Sequence, residues 1–216
     1  MTPSAIINKS LRKYVSPELR AAGFQKVHAR NAWTWTSECI RVFNIRAVGS
    51  YFAAVTGWPA ASACVWMGIY YPFIPQVRPG KSDDKGRILP AEYECHMRSH
   101  LERRMPLPEG VSRLNNPAER KRKDIWWLEP DGSNADEVAI DIAAGVVEVA
   151  VPWFREFSEL SHALSVVEAG RDCPNKFSLA YHLASKLERT DLAGKYKALA
   201  DAGARRRGSG ATRTDG

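Results

Sequence analysis

His96, Arg98 and His100 alternate with Met97 and Ser99, and Glu94 and Glu102 flank them in the same register. Read as a strand, Tyr93 to Glu102 puts Tyr93, Cys95, Met97, Ser99 and Leu101 on a dry face. The five charged or imidazole-bearing residues fall on the other, because successive strand side chains point to opposite sides. Imidazole and guanidinium on one face suit metal ligation or anion binding. Alternate strand residues stand ~6.6 Å apart and i,i+4 pairs ~13 Å, whereas zinc–nitrogen bonds are ~2 Å. His96 and His100 therefore do not chelate one metal from a flat strand, and no metal ligand set is expected. An anion held by Arg98 with a flanking histidine is easier to build. Asn44 and Arg46 share a face with each other and join this site if their face is the same one. The reading these residues favour over such a site is a solvated charged face, on which Arg98→Ala leaves the melting temperature almost unchanged. Met97→Asp, on the dry side, unfolds the domain by burying an unpaired charge.

The densest basic run, Arg120-Lys121-Arg122-Lys123, lies just before Trp126-Trp127. Cations beside aromatics can hold phosphates and stack on bases. Adjacent strand residues point opposite ways, however, so at least one tryptophan belongs to the core and the run reads as a solvated loop. Gly80-Lys81-Ser82 ends like a phosphate-binding loop, but Pro75 stands where its first glycine is required. Glu119-Arg120-Lys121 has the E-x-K spacing of metal-dependent nucleases, yet sits in a charged loop. H-E-x-x-H and G-x-S-x-G are absent from the sequence, so no catalytic residue and no cofactor is assigned.

The elements that must position these residues follow from periodicity. Ile6, Ile7, Leu11, Tyr14, Val15 and Leu19 make a helical stripe, with a kink or restart expected at Ser16-Pro17 and a stop at Gly23. Ala32–Thr36, Cys39–Val48 and Ala63–Tyr71 read as strands, the first with Trp33 and Trp35 on one face. Two Pro-rich connections, 71–90 and 105–123, separate them from the 93–102 strand and from a short strand at Asp124–Leu128. The period then turns helical. Asn134 and Glu137 form a capping-box pattern, Pro152 ends that helix, and Trp153 to Val167 forms the next. Residues 175–203 form a helical hairpin that breaks near Thr190-Asp191. The fold class is α+β: an N-terminal helix, about five mostly antiparallel strands, then helices packing on one sheet face. Expected domains are a core over 1–170, a hairpin over 171–202 and a disordered tail over 203–216.

Charge is uneven along the 216 residues. Residues 1–130 carry 20 Lys/Arg against 11 Asp/Glu, a net of +9, whereas 131–201 carry 7 against 12, a net of −5. The basic front either complements the acidic helices or attracts an acidic partner. Four cysteines lie far apart without a C-x-x-C pair and read as buried reduced thiols. No apolar run approaches the ~20 residues that span a bilayer, and Met1–Ser10 has no signal-peptide pattern, so no membrane partner and a cytoplasmic location are expected.

Gly23-Phe24 after the first helix, Asn44-Ile45-Arg46 and Gly68-Ile69-Tyr70 in strands, Cys95-His96-Met97-Arg98, Trp126-Trp127 and Trp153-Phe154 are landmarks. Together they resemble a bacterial family, domain of unknown function 4304, over roughly residues 5–165. The resemblance implies the fold and brings no activity with it. The expectation from the residues is a non-catalytic binding module. Its partner would be another protein, met through the sheet face or the C-terminal hairpin, with His96, Arg98, His100, Asn44 and Arg46 as binding residues. A nucleic-acid binder using the basic front, and a hydrolase with a dispersed site, are the alternatives.

Overall fold

A computed structural model describes residues 2–75, 81–108, 111 and 114–210. Residues 76–80, 109–110 and 112–113, inside the two Pro-rich connections, and 211–216 of the expected tail lie outside the described residues, as does Met1. The chain divides into two units, Met1–Tyr70 with Pro79–Phe154, and Tyr71–Arg78 with Arg155–Gly216.

In the first unit, α1 (Pro3–Ala21) starts with Thr2 as N-cap and Pro3 in its first turn, and buries Ile7, Leu11, Val15 and Leu19. It runs through Ser16-Pro17 as a single helix, because the buried Val15, Ser16 and Leu19 hold the register against one lost backbone hydrogen bond. Gly23 (φ 86°) then turns the chain, with Gly23 N–H donating to Arg20 O and Phe24 N–H to Leu19 O.

Six strands follow: β1 (Lys26–Val27), β2 (Asn31–Trp35), β3 (Ile40–Ala47), β4 (Ala63–Tyr70), β5 (Met97–His100) and β6 (Ile125–Trp126). They form one antiparallel sheet in the order β1-β2-β3-β4-β5, with β6 also on β4. The β2–β3 turn lacks Asn-Gly; the Thr36 hydroxyl stands in by accepting Cys39 N–H at 3.0 Å. A short helix α2 (Ser50–Thr56), between Gly49 and Gly57, links β3 to β4 where periodicity gives no signal. One sheet face carries the buried Phe43, Ile45, Val65, Met67 and Ile69. Helices cover it. Gly145 of α4 (Ala135–Gly145) packs on Leu101, and Asp141 accepts Trp126 Nε1–H at 2.8 Å. Trp126 and Trp127 are both buried, the latter 5.7 Å from Trp58.

Other local expectations also change. The strand expected over Tyr93–Glu102 pairs only from Met97, because Glu92–Glu94 is a 3-10 turn; Tyr93 is 66% exposed and Met97 only half-buried. Asn134 does not cap α4 with its side chain, which instead bridges Glu129 N–H and Trp127 O. Pro152 does not end the helix. The backbone stays helical from α4 through a π turn over Val146–Ala150 into α5 (Val151–Ser158), and that widened turn directly before Pro152 takes up the proline's ring and missing N–H.

In the second unit, α6 (Leu160–Ala169) restarts after Glu159, dividing the helix expected over Trp153–Val167. The hairpin is α7 (Pro174–Lys186) and α8 (Thr190–Gly210), joined at Glu188, whose φ is 58°. Ala180, Leu183, Ala184 and Tyr196 are buried, and the Tyr196 hydroxyl donates to Glu168 at 2.7 Å. The backbone of α8 is helical to Gly210, past the Gly203 start of the expected tail. Among the described residues no helix is long and apolar enough to cross a membrane.

Candidate functional site

The register decides which face each residue takes. Arg98 lies opposite Gly68, which pairs with Val42, which pairs with Trp33. His100 lies opposite Trp66, then Asn44, then Asn31, and Arg46 lies opposite Cys64. Directly paired residues share a face. Asn44, Arg46, Arg98 and His100 therefore stand on one side of the sheet, the side opposite Phe43 and Met67. His96 follows in phase, its N–H donating to Ile69 O at 2.9 Å and its ring 5.0 Å from Tyr70. All five sequence-predicted residues are on this face. They do not converge on one point. His96 sits beside Tyr70 while His100 packs edge-on to Trp66 at 5.7 Å.

The centre of the face is built by a residue that periodicity missed. Glu92 is 3% exposed, and its Oε1 accepts Arg98 Nε–H at 2.6 Å with Arg98 Nη2 at 2.5 Å. Its Oε2 has no hydrogen-bond partner among the described residues and stands 4.0 Å from Arg46 Nη1. One buried carboxylate thus spans two guanidiniums, Arg98 42% exposed and Arg46 55% exposed. Arg98 is firmly oriented. Among the described residues, Arg46 makes no side-chain hydrogen bond and only the 4.0 Å contact to Glu92.

Glu92 reaches this position because β4 has no side chain at Gly68. A Cβ there would lie 2.5 Å from Cys95 Sγ and 2.6 Å from Cys95 Cβ, so glycine lets the 92–95 turn rest directly on the strand. The preceding segment is pinned across the same face: Trp33 Nε1–H donates to Pro90 O at 2.9 Å and Trp35 Nε1–H to Ile88 O at 3.0 Å. Burial pushes the Cys95 thiol far up, helped by the nearby Glu92 charge, and burial raises Cys64 to about 11, so neither is a poised nucleophile at neutral pH. Beside the strap opens a groove of ≈ 380 Å³, walled by Trp33, Val42 and Leu89 and floored by Asn44, Arg46 and Glu92. Asn44 Nδ2–H donates to Asn31 Oδ1 at 2.6 Å, fixing both amides at the groove's edge. The arrangement offers amide, guanidinium and ammonium donors (Asn44, Arg46, Lys81) beside apolar walls, with the carboxylates of Glu92 and Glu94 also in its lining. It suits an anionic group carried on a partly apolar ligand.

A family model described as Domain of unknown function (DUF4304) matches residues 15–156. The chain belongs to the DUF4304 family. No curated protein and no solved structure matches it. The span that makes this a DUF4304 chain holds the whole groove, Gly68 and Glu92 included, and is narrower than the 5–165 expected from its landmarks. Two of those landmarks now have a physical role: Gly68 admits the turn, and Arg98 of Cys95-His96-Met97-Arg98 takes its carboxylate. Glu92 itself had one signal in the sequence. Pro90 interrupts the strand pattern just upstream, which marks a turn rather than a longer strand.

The basic run also divides. Arg122 bonds Asp124 through Nε at 2.9 Å, pairs with Glu119 at 3.6 Å and lies over Phe52, whereas Arg120, Lys121 and Lys123 are exposed.

Proposed function

We propose that this DUF4304 chain is a non-catalytic binding module whose sheet-face groove takes a carboxylate-bearing segment of another protein. One observation supports it above the rest: the buried Glu92 fixes Arg98 and leaves Arg46, 4.0 Å away, with donors to spend on a ligand. Asn44 adds an amide on the same face, and Trp33, Val42 and Leu89 offer apolar contact for the residue beside the carboxylate. Guanidinium forks match carboxylates bidentately, which makes arginine the better choice for such a guest. The reading includes a cytosolic setting, supported by four free cysteines, two of them buried.

The test is selection from a displayed library of random peptides against the full chain. Enrichment of Asp or Glu next to an apolar residue, with binding lowered about tenfold by Arg46→Ala, is the expected result; a tenfold loss equals ~1.4 kcal/mol, within reach of one charged hydrogen bond. Peptides without acidic enrichment, or binding indifferent to Arg46→Ala, would sink the proposal.

A further inference from the structure

We infer that a second site, the cleft at the end of β5, binds the phosphate backbone of double-stranded nucleic acid. The cleft holds ≈ 880 Å³, more than a single phosphate fills. Arg103 and Arg104 enter it from the end of β5, and Arg120, Lys121 and Lys123 from α3 (Pro117–Arg120) and the turn after it. Four neighbouring acids are already engaged. Arg122 takes Asp124 and Glu119, while Arg104 takes Asp141 and Glu148. Glu102 is the acid that lines the cleft itself.

Arg120, Lys121 and Lys123 are exposed and make no ion pair or side-chain hydrogen bond among the described residues. Arg103 is set in the wall by the carbonyls of Met105 at 2.6 Å and Arg122 at 3.1 Å, and its buried Nε has no acceptor among the described residues. The cleft therefore holds a local surplus of unpaired cations, which phosphates neutralise with release of their counterions. No Trp, Tyr or Phe ring is among its described lining residues, and the imidazole of His100 there is packed edge-on to Trp66, which favours backbone contact over stacking on unpaired bases. The notable separation is within the basic run, where Arg122 is committed to structure and its three neighbours face the cleft.

The experiment is fluorescence anisotropy of the full chain with a labelled DNA duplex, titrated at several salt concentrations. Three phosphate contacts give a slope of about −2.7 in log K against log salt, so affinity falls about 40-fold from ~50 to ~200 mM. The triple variant Arg120→Ser, Lys121→Ser, Lys123→Ser should keep the wild-type melting curve and lose both the binding and most of the slope. Arg46→Ala should leave duplex binding unchanged, which separates this site from the groove. The inference is overturned by absence of saturable binding at ~50 mM salt, by an unchanged slope in the triple variant, or by polyglutamate of matched charge competing as well as the duplex.

Discussion

Removing Arg98 should destabilise the first unit strongly, although strand periodicity alone treats it as a solvent-facing residue of no energetic weight. Arg98→Ala leaves Glu92, 3% exposed, without either of its short contacts and with Arg46 no nearer than 4.0 Å. Breaking a buried ion pair from one side costs ~3–5 kcal/mol. Arg98 is 42% exposed, so water can enter part of the vacated space, and the lower end, about 3 kcal/mol, applies. For a chain of this size that lowers the melting temperature by roughly 6–12 °C. Urea unfolding followed by tryptophan fluorescence is the suitable assay, since all seven tryptophans lie in the first unit and the signal reports that unit alone.

The decisive variant is the double one. Glu92→Gln by itself trades a charged hydrogen bond for a neutral one, at a cost of ~1–2 kcal/mol. Added to Arg98→Ala, the same change removes the orphaned charge and should restore stability rather than lower it further. An Arg98→Ala protein melting within a degree of wild type would refute the reasoning. So would a double variant less stable than Arg98→Ala.

Gly68→Ala should cost ~1–3 kcal/mol by overpacking, because its Cβ would sit 2.5 Å from Cys95 Sγ; wild-type stability in urea would show that the 92–95 turn can lift off the strand. Leu101→Ala, at a side chain 1% exposed against Gly145, should cost ~2–5 kcal/mol in the same assay. Asp124 is held below the usual carboxylate range, chiefly by its hydrogen bond from Arg122, so its contribution is present above that range and fades as pH falls through its folded value. Asp124→Asn should therefore be less stable at neutral pH and show a shallower decline in melting temperature between neutral and acid pH. Ellman's reagent should titrate one thiol quickly in the native protein, the exposed Cys173, and all four after denaturation.

Much of the sheet was legible because a strand's period is fixed and short. His96, Arg98 and His100 fell on one face by counting alone. Whether Asn44 and Arg46 shared it could not be counted, since that depends on pairing between strands; the register Asn44↔Trp66↔His100 answers it. Glu92 was hidden for a different reason. The alternation of Tyr93, Cys95 and Met97 continues smoothly through a 3-10 turn, and the turn's cause, the missing side chain at Gly68, lies on another strand. Pro152 misled because a proline is read as a stop, whereas the π turn just before it lets the helical path continue, and such a turn has no periodic signature. Arg120 to Lys123 looked uniform because sequence shows charge but not pairing. Only the positions of Glu119 and Asp124 single out Arg122.

Pairing also determines how each cationic site should respond to salt. On the sheet face, Glu92 already balances part of the Arg98 and Arg46 charge from a few ångströms away, and a ligand there gains from shape and bidentate geometry as well as charge. In the cleft, Arg120, Lys121 and Lys123 make no ion pair among the described residues and stand exposed, so their attraction falls away within a Debye length of about 8 Å at ~150 mM salt. A carboxylate peptide in the groove displaces few ions, whereas a duplex in the cleft displaces about one per phosphate contacted. Raising salt should thus strip the duplex well before the peptide. Equal sensitivity of the two would mean that the groove is also a plain charged surface, with Glu92 contributing nothing to how it binds.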